Sequence, residues 1–201
     1  MRVTRVQAEE NRQTVIDVAN RLFRQHGFDG IGLKDLMAGA EMTQGAFYKQ
    51  FESKEDLAAQ ASRRGLENAL RRWSAAAATN PNDPLSAVVD FYLSLGHCAE
   101  KADGCPVVAL GSDAARHGTD VKASFQAGIQ EYLDLLDGWI GGADGGQSHS
   151  KSMAVLSTMV GAVLLARAVN DRQMSTQFLQ AAASSAMAQA SATPDKADPR
   201  Q

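Results

Sequence analysis

Apolar residues recur along this chain at steps of three and four almost from end to end, and no segment alternates them at steps of two. A chain patterned this way buries one stripe per helix and has no means of building a sheet, so the expected fold class is all-α. Val15, Val18, Ala19 and Leu22, widened by Ile16 and Phe23, form a first helix that closes at His26-Gly27. Leu33, Leu36, Met37 and Ala40 repeat the pattern over a much shorter stretch, and Met42, Ala46 and Phe47 begin another short element after Glu41. Ser53 ahead of Lys54-Glu55-Asp56 is a capping-box-like start for a long fourth helix toward Ala78.

Asp83-Pro84 supplies an N-cap with proline at the first helical position, and the helix it opens is expected to run to Asp103-Gly104. Pro106 opens a short helix that stops at His117-Gly118, and Thr119 caps the next, along which Phe125, Ile129, Tyr132, Leu136 and Trp139 share a face. The glycine run 141–146 is a flexible break. Helices over about 150–170 and 175–190 follow, and the tail 192–201 has no apolar anchor and is expected to be disordered.

With 201 residues, 44% of them hydrophobic, the chain can bury roughly 70% of its unfolded surface and needs no metal or disulfide framework. Two cysteines and four scattered histidines have no metal-ligand spacing, so neither metal nor cofactor is expected. No signal-peptide core opens the sequence, and no uncharged apolar run approaches the roughly 20 residues of a membrane span, so a soluble, cytoplasmic protein is expected. There is no nucleophile elbow and no glycine-rich phosphate loop after a strand, which argues against an enzyme. The net charge of -3 divides unevenly. Residues 1–72 hold 12 Lys+Arg against 10 Asp+Glu, a net +2, so the basic part is the N-terminal third.

Two short helices joined by a tight turn, the second polar on one face, make a helix-turn-helix arrangement. Met42, Ala46, Phe47 and Phe51 would be its buried side, leaving Thr43, Gln44, Gly45, Tyr48 and Lys49 outward, where a recognition helix enters the major groove of double-stranded DNA. The pattern Leu22-Phe23-x-x-x-Gly27-Phe28, Leu33-x-Asp35-Leu36, Met42-Thr43-x-Gly45-x-Phe47-Tyr48-x-x-Phe51 and Ser53-Lys54-Glu55-x-Leu57 resembles the TetR family of transcriptional regulators over residues 12–58.

The resemblance implies an N-terminal three-helix DNA-binding domain (1–53) and a helical-bundle ligand-binding and dimerisation domain (54–191, with helix 54–78 connecting the two). It further implies a homodimer on a palindromic operator, released by a small-molecule effector. Thr43, Tyr48, Lys54 and Lys34 would then meet phosphates, Gln44 would read adenine, Gly45 would allow close approach, and Lys49 would take guanine or phosphate. Two positions depart from the family pattern. Gly32 stands where a capping Ser or Thr is usual, and Glu41 where glycine is usual; a left-handed backbone at Glu41 would cost on the order of 1 kcal/mol. A helical adaptor that binds protein instead of DNA, and a transcriptional activator, are the alternatives.

The helix over 150–170 carries two apolar stripes and must be covered twice, by a helix of the same subunit or by a partner. The small residues Gly161, Ala162 and Ala166 favour a partner, and the expected dimer face is Val155, Met159, Ala162, Ala166 and Val169, with Phe125, Tyr132 and Leu136. Candidate ligand contacts are Phe91, Tyr92, Leu95, His97, Trp73 and Trp139. Cys105, before Pro106, would sit at an N-cap facing backbone amides, a setting that favours a reactive thiol and offers electrophile or oxidant sensing as an alternative mode of control.

Overall fold

The structure is a computed structural model and describes residues 4–141 and 145–192. Its described residues form ten α-helices and no strand: α1 Arg5–His26, α2 Leu33–Gly39, α3 Gln44–Phe47, α4 Lys54–Thr79, α5 Pro84–Tyr92, α6 Leu95–Ala99, α7 Pro106–Ala114, α8 Thr119–Ile140, α9 Gly145–Ala168 and α10 Arg172–Ser191. The glycine run expected as a break is described only at Gly141 and at Gly145-Gly146, which open α9; of the tail, all but Ala192 lies outside the described residues.

Two compact units share these helices: 1–72 with 99–130, and 73–98 with 131–201. The division differs from a boundary at 53/54, because α4 and α8 each run through both units. In the first unit α1 is capped at one end by Thr4, whose hydroxyl accepts from the Gln7 amide, and at the other by Gly27 at φ 79. The Gly27 amide donates to the Phe23 carbonyl at 2.7 Å, a left-handed closure suited to a residue without Cβ. α1 packs on α2 and α7, and α2 on α3. Phe23, Phe28, Leu36, Met37, Phe47 and Leu57 are all within 1% of full burial, each contributing roughly 1.5–3 kcal/mol of transfer free energy.

The start of α4 is built as its sequence suggests. The Ser53 hydroxyl accepts from the Asp56 amide at 3.0 Å, and the Asp56 carboxylate answers the amide of Glu52, one residue earlier than the usual reciprocal bond. The single helix expected from Pro84 toward Asp103 is instead two. Ser94 breaks it by turning its hydroxyl both ways, donating to the Phe91 carbonyl and accepting from the His97 amide, which ends α5 and starts α6. Arg167 then satisfies the carbonyls at the end of α6, donating to those of Cys98 and His97.

In the second unit α9 packs on α10, and α10 on α5. Asp171 caps α10 by accepting from the amides of Gln173 and Met174, a start three to four residues ahead of the expected one. Between α8 and α9 the Asp137 carboxylate accepts from the His149 ring at 2.8 Å. Burial alone would raise that carboxyl, but hydrogen bonds from Ser152 and His149, with the charge of His149, hold it below its ordinary value.

The expected dimer stripe is corrected here. Val155, Met159, Ala162 and Ala166 are at most 6% exposed within the single chain, as are Phe125, Tyr132 and Leu136. The chain's own helices already cover that face, and Val169 is half-buried. What α9 leaves exposed is Met153, Leu164 and Leu165, and α10 exposes Met174. By length and composition alone, Ser148–Ala168 could cross a membrane, with mean hydropathy 1.3, contrary to the expectation that no segment would. Its buried stripe and its packing on α10 explain the apolar composition as that of a bundle helix.

Candidate nucleic-acid interface

The interface begins with a turn. α2 is closed by Ala40 as its C-cap, and Glu41 follows at φ 57, with its amide donating to the Ala38 carbonyl at 3.0 Å and the Met42 amide donating to that of Met37 at 2.9 Å. The left-handed residue reverses the chain, so that α3 starts at a new angle with Thr43 as its N-cap. Gly32, the N-cap of α2, makes no side-chain cap bond, as expected where a hydroxyl is missing.

α3 itself is one turn long. Phe47 anchors it at 0% exposure, stacked on Phe51 with ring centroids 5.3 Å apart. Opposite that anchor Thr43, Gln44, Gly45, Tyr48 and Lys49 are all exposed, as expected, whereas Met42 and Ala46, expected on the buried side, are only half-buried. Tyr48 and Lys49 lie just past the last residue of α3, in a turn held by bonds from the Gln50 and Phe51 amides to the Phe47 carbonyl. Thr43 makes no side-chain cap bond, which leaves its hydroxyl uncommitted to the helix. A Cβ on Gly45 would meet nothing within 4 Å, so this position opens to whatever docks on α3. Tyr48 is 69% exposed, its ring edge-on to Phe47 at 5.2 Å.

Lys34, on α2, is exposed, whereas Lys54 is half-buried and lines a cavity of about 190 Å³ with Phe28, Asp29, Glu55 and His117. Two carboxylates, those of Asp29 and Glu55, share that lining with Lys54.

Sequence reasoning missed Arg12. Its guanidinium lies over the Phe51 ring at 5.2 Å, Nε donates to the Gln50 carbonyl at 3.4 Å, and Nη2 donates to Gln60 Oε1 at 2.6 Å. Gln60 in turn donates to Asp56 at 2.6 Å. One residue of α1 thereby ties the end of the α3 turn to the first turns of α4, fixing the angle at which α3 is presented. Partners 38 and 48 residues away leave no spacing signal in the sequence.

The candidate ligand residues separate. Trp73 and Tyr92 are each 1% exposed and stack into a core with Tyr132 and His97, the Trp73–Tyr132 and Tyr92–His97 centroids both being 4.6 Å apart. Phe91 and Trp139 are half-buried and Leu95 is exposed, all in that second unit. Cys105 belongs to the first unit, where it is the N-cap of α7 and 2% exposed.

A three-helix head that presents a short, polar-faced helix over an aromatic anchor defines a helix-turn-helix DNA-binding regulator. Residues 15–61 match the model of the tetR family of bacterial regulatory proteins, so the N-terminal head of this chain is similar to that of tetR-family regulators. The transcriptional regulator AcrR of Shigella flexneri is 36% identical over 92 residues, which are 46% of this chain and 43% of AcrR, so the match spans less than half of that relative. LmrA of Bacillus subtilis is 23% identical over 162 residues, 78% of this chain and 86% of LmrA. The crystal structure of reduced NemR from E. coli shares the fold, with a TM-score of 0.73 at 20% identity over 88% of this chain and 95% of that one.

Proposed function

We propose that this chain is a repressor that binds a palindromic operator as a homodimer in the bacterial cytoplasm and is released by a small-molecule effector. The observation that carries the reading is the outward row Thr43, Gln44, Gly45, Tyr48 and Lys49 above the buried Phe47. In this reading Thr43 and Tyr48 hold phosphates through their hydroxyls, with Lys34 and Lys54 adding charge; Gln44 reads adenine beside Gly45, and Lys49 takes guanine or phosphate. A similar protein, NemR of Escherichia coli, is named a transcriptional repressor, which supports repression over activation.

Support for the dimer comes from the exposed large hydrophobic residues. Four of the seven among the described residues are Met153, Leu164 and Leu165 on α9 and Met174 on α10, apolar surface that a second copy would cover. A two-fold dimer then sets two heads about one helical turn apart on a palindrome. Selection of binding sites from random DNA with the full chain is expected to return such a palindrome, and Gln44→Ala to return it with relaxed preference at one position per half-site. Enrichment of unrelated single sites, or of nothing, would sink the reading.

A second mode of control rests on Cys105 at the start of α7, whose preceding carbonyl, that of Gly104, accepts from Arg24 of α1 at 2.7 Å. Modification there would disturb a link to the DNA-reading head. This mode requires the buried Cys105, 2% exposed, to open to reagent: substoichiometric N-ethylmaleimide at neutral pH would then label Cys105 and release DNA, with Cys105→Ser unaffected. A thiol that stays unlabelled leaves only noncovalent control.

A further inference from the structure

Between α7 and α8, wholly within the first unit, lies an open trough of about 580 Å³. Its walls are two helix stripes. Val107, Gly111 and Ala114 step by four and three along α7, and Lys122, Phe125, Gln126 and Ile129 follow the same spacing along α8. The floor is apolar, and among the lining residues Lys122 is the one ionisable side chain. Volume and lining both fall within the range of small-molecule sites, which are mostly apolar with a few polar groups that orient the ligand.

Gly111 sets the depth of the trough. It sits inside α7, where glycine is disfavoured relative to alanine, yet a Cβ there would touch only Val107, at an ordinary 3.7 Å. Neither backbone nor packing requires glycine at this position. What a larger residue would change is the depth of the trough.

We propose that the trough binds a small amphipathic monoanion, its apolar body lying on Val107 and Ile129 and its acidic head group at Lys122. The inference rests on the effector-released reading above and supplies its missing class of ligand. It also has a short route to the DNA-reading head. At the far end of α7 the Asp113 carboxylate accepts from the Phe28 amide at 3.2 Å, and in the turn before α8 the Gly118 amide donates to Glu55 at 2.6 Å. Phe28 follows α1 and Glu55 lies in the first turn of α4, so a ligand that spreads α7 from α8 pulls on both supports of the head.

The test uses two fluorescent probes on the full chain: 1-anilinonaphthalene-8-sulfonate, an aromatic anion, and N-phenyl-1-naphthylamine, its neutral counterpart. Gly111→Leu and Ala115→Phe, the latter at an exposed lining position, should each weaken both probes by about tenfold or more while keeping helical circular dichroism. Lys122→Gln should weaken the anion by about fivefold and leave the neutral probe unchanged. If both filling variants bind both probes as the unaltered chain does, the trough is not the site; if Lys122→Gln affects the two probes equally, the head-group assignment is wrong. A dimer that dissociates on Ala115→Phe would mean that a second copy covers the trough, overturning the proposal. Gel shifts separate this inference from the reading beneath it: a chain that binds no DNA without probe refutes the repressor while the fluorescence still decides the trough. Operator released by the sulfonate from the unaltered chain, but retained by Ala115→Phe, is the full expected result, and operator retained by both refutes the effector role.

Discussion

The helix-turn-helix turn over residues 40–51 and the helix α9 are both short on charge and rich in apolar side chains, yet they present opposite problems. In the turn, each residue type has one local use: Glu41 takes a left-handed backbone, Phe47 anchors, and Thr43, Gln44 and Tyr48 have polar atoms with nothing local to bind. On α9 two apolar faces compete, and nothing in the spacing says which is inside. Met159 at 0% exposure and Leu164 at 47% lie five residues apart on the same helix. Local chemistry specifies the turn, whereas the burial of a two-faced helix is settled by which neighbours cover it, and in this chain α9 packs on α10.

The largest effect that can break this comparison is Met159→Lys. A charge placed at a fully buried position with no partner should cost on the order of 3–5 kcal/mol and unfold the chain, visible as loss of helical circular dichroism and a much lower Tm. A folded, monomeric Met159→Lys protein would return that face to the dimer interface. Leu164→Glu comes next in size: the helices should remain and light scattering should report a monomer. Palindrome affinity should then fall by about 100-fold or more, since a second head no longer binds on the same DNA. A dimeric Leu164→Glu would remove the exposed residues of α9 from the proposed interface.

On the helix-turn-helix turn the expected effects are smaller. Tyr48→Phe and Lys54→Ala should each weaken operator binding by about tenfold or less and on all sequences alike, because phosphate contacts carry no base information. Lys54→Ala should also lower the salt slope by about one unit if its ammonium neutralises a phosphate. Since Lys54 is half-buried on a lining it shares with Asp29 and Glu55, an unchanged slope with reduced stability would assign it to the head's interior instead.

How far the sequence was legible follows the same line. The helix-turn-helix turn, the Ser53 cap and the Asp83-Pro84 start could be read because each rests on residues within three or four positions of one another. α1 begins ten residues before its first apolar stripe residue, on polar pairs such as Gln7–Asn11 and Gln13–Glu9 that leave no hydrophobic period. Ser94 splitting α5 from α6, and Arg12 bracing the α3 turn, depend on a side chain choosing between partners, which composition does not record. The inner face of α9 is the extreme case, where the period was correct and the side was not.

Glu41 offers the finest discrimination, because its effect is confined to one backbone angle. At φ 57 a residue with a Cβ pays on the order of 1 kcal/mol that glycine does not, and the two amide bonds of the turn, from Glu41 to Ala38 and from Met42 to Met37, hold it there. Glu41→Gly removes that cost but loosens the unfolded chain, which returns roughly 0.4–1 kcal/mol of it. The expected gain is therefore a few tenths of a kcal/mol, about 1 °C in Tm for a chain of this length. Glu41→Asn tolerates the same angle without glycine's extra unfolded freedom and should stabilise at least as well. Glu41→Val, branched at Cβ, should instead lower stability by about 1 kcal/mol or more. The order Asn and Gly above Glu above Val in thermal melts is the signature of a left-handed residue that shapes the entry to α3; three variants melting alike would mean that the turn relaxes at no cost, and that the angle of α3 is set by the Arg12 brace alone.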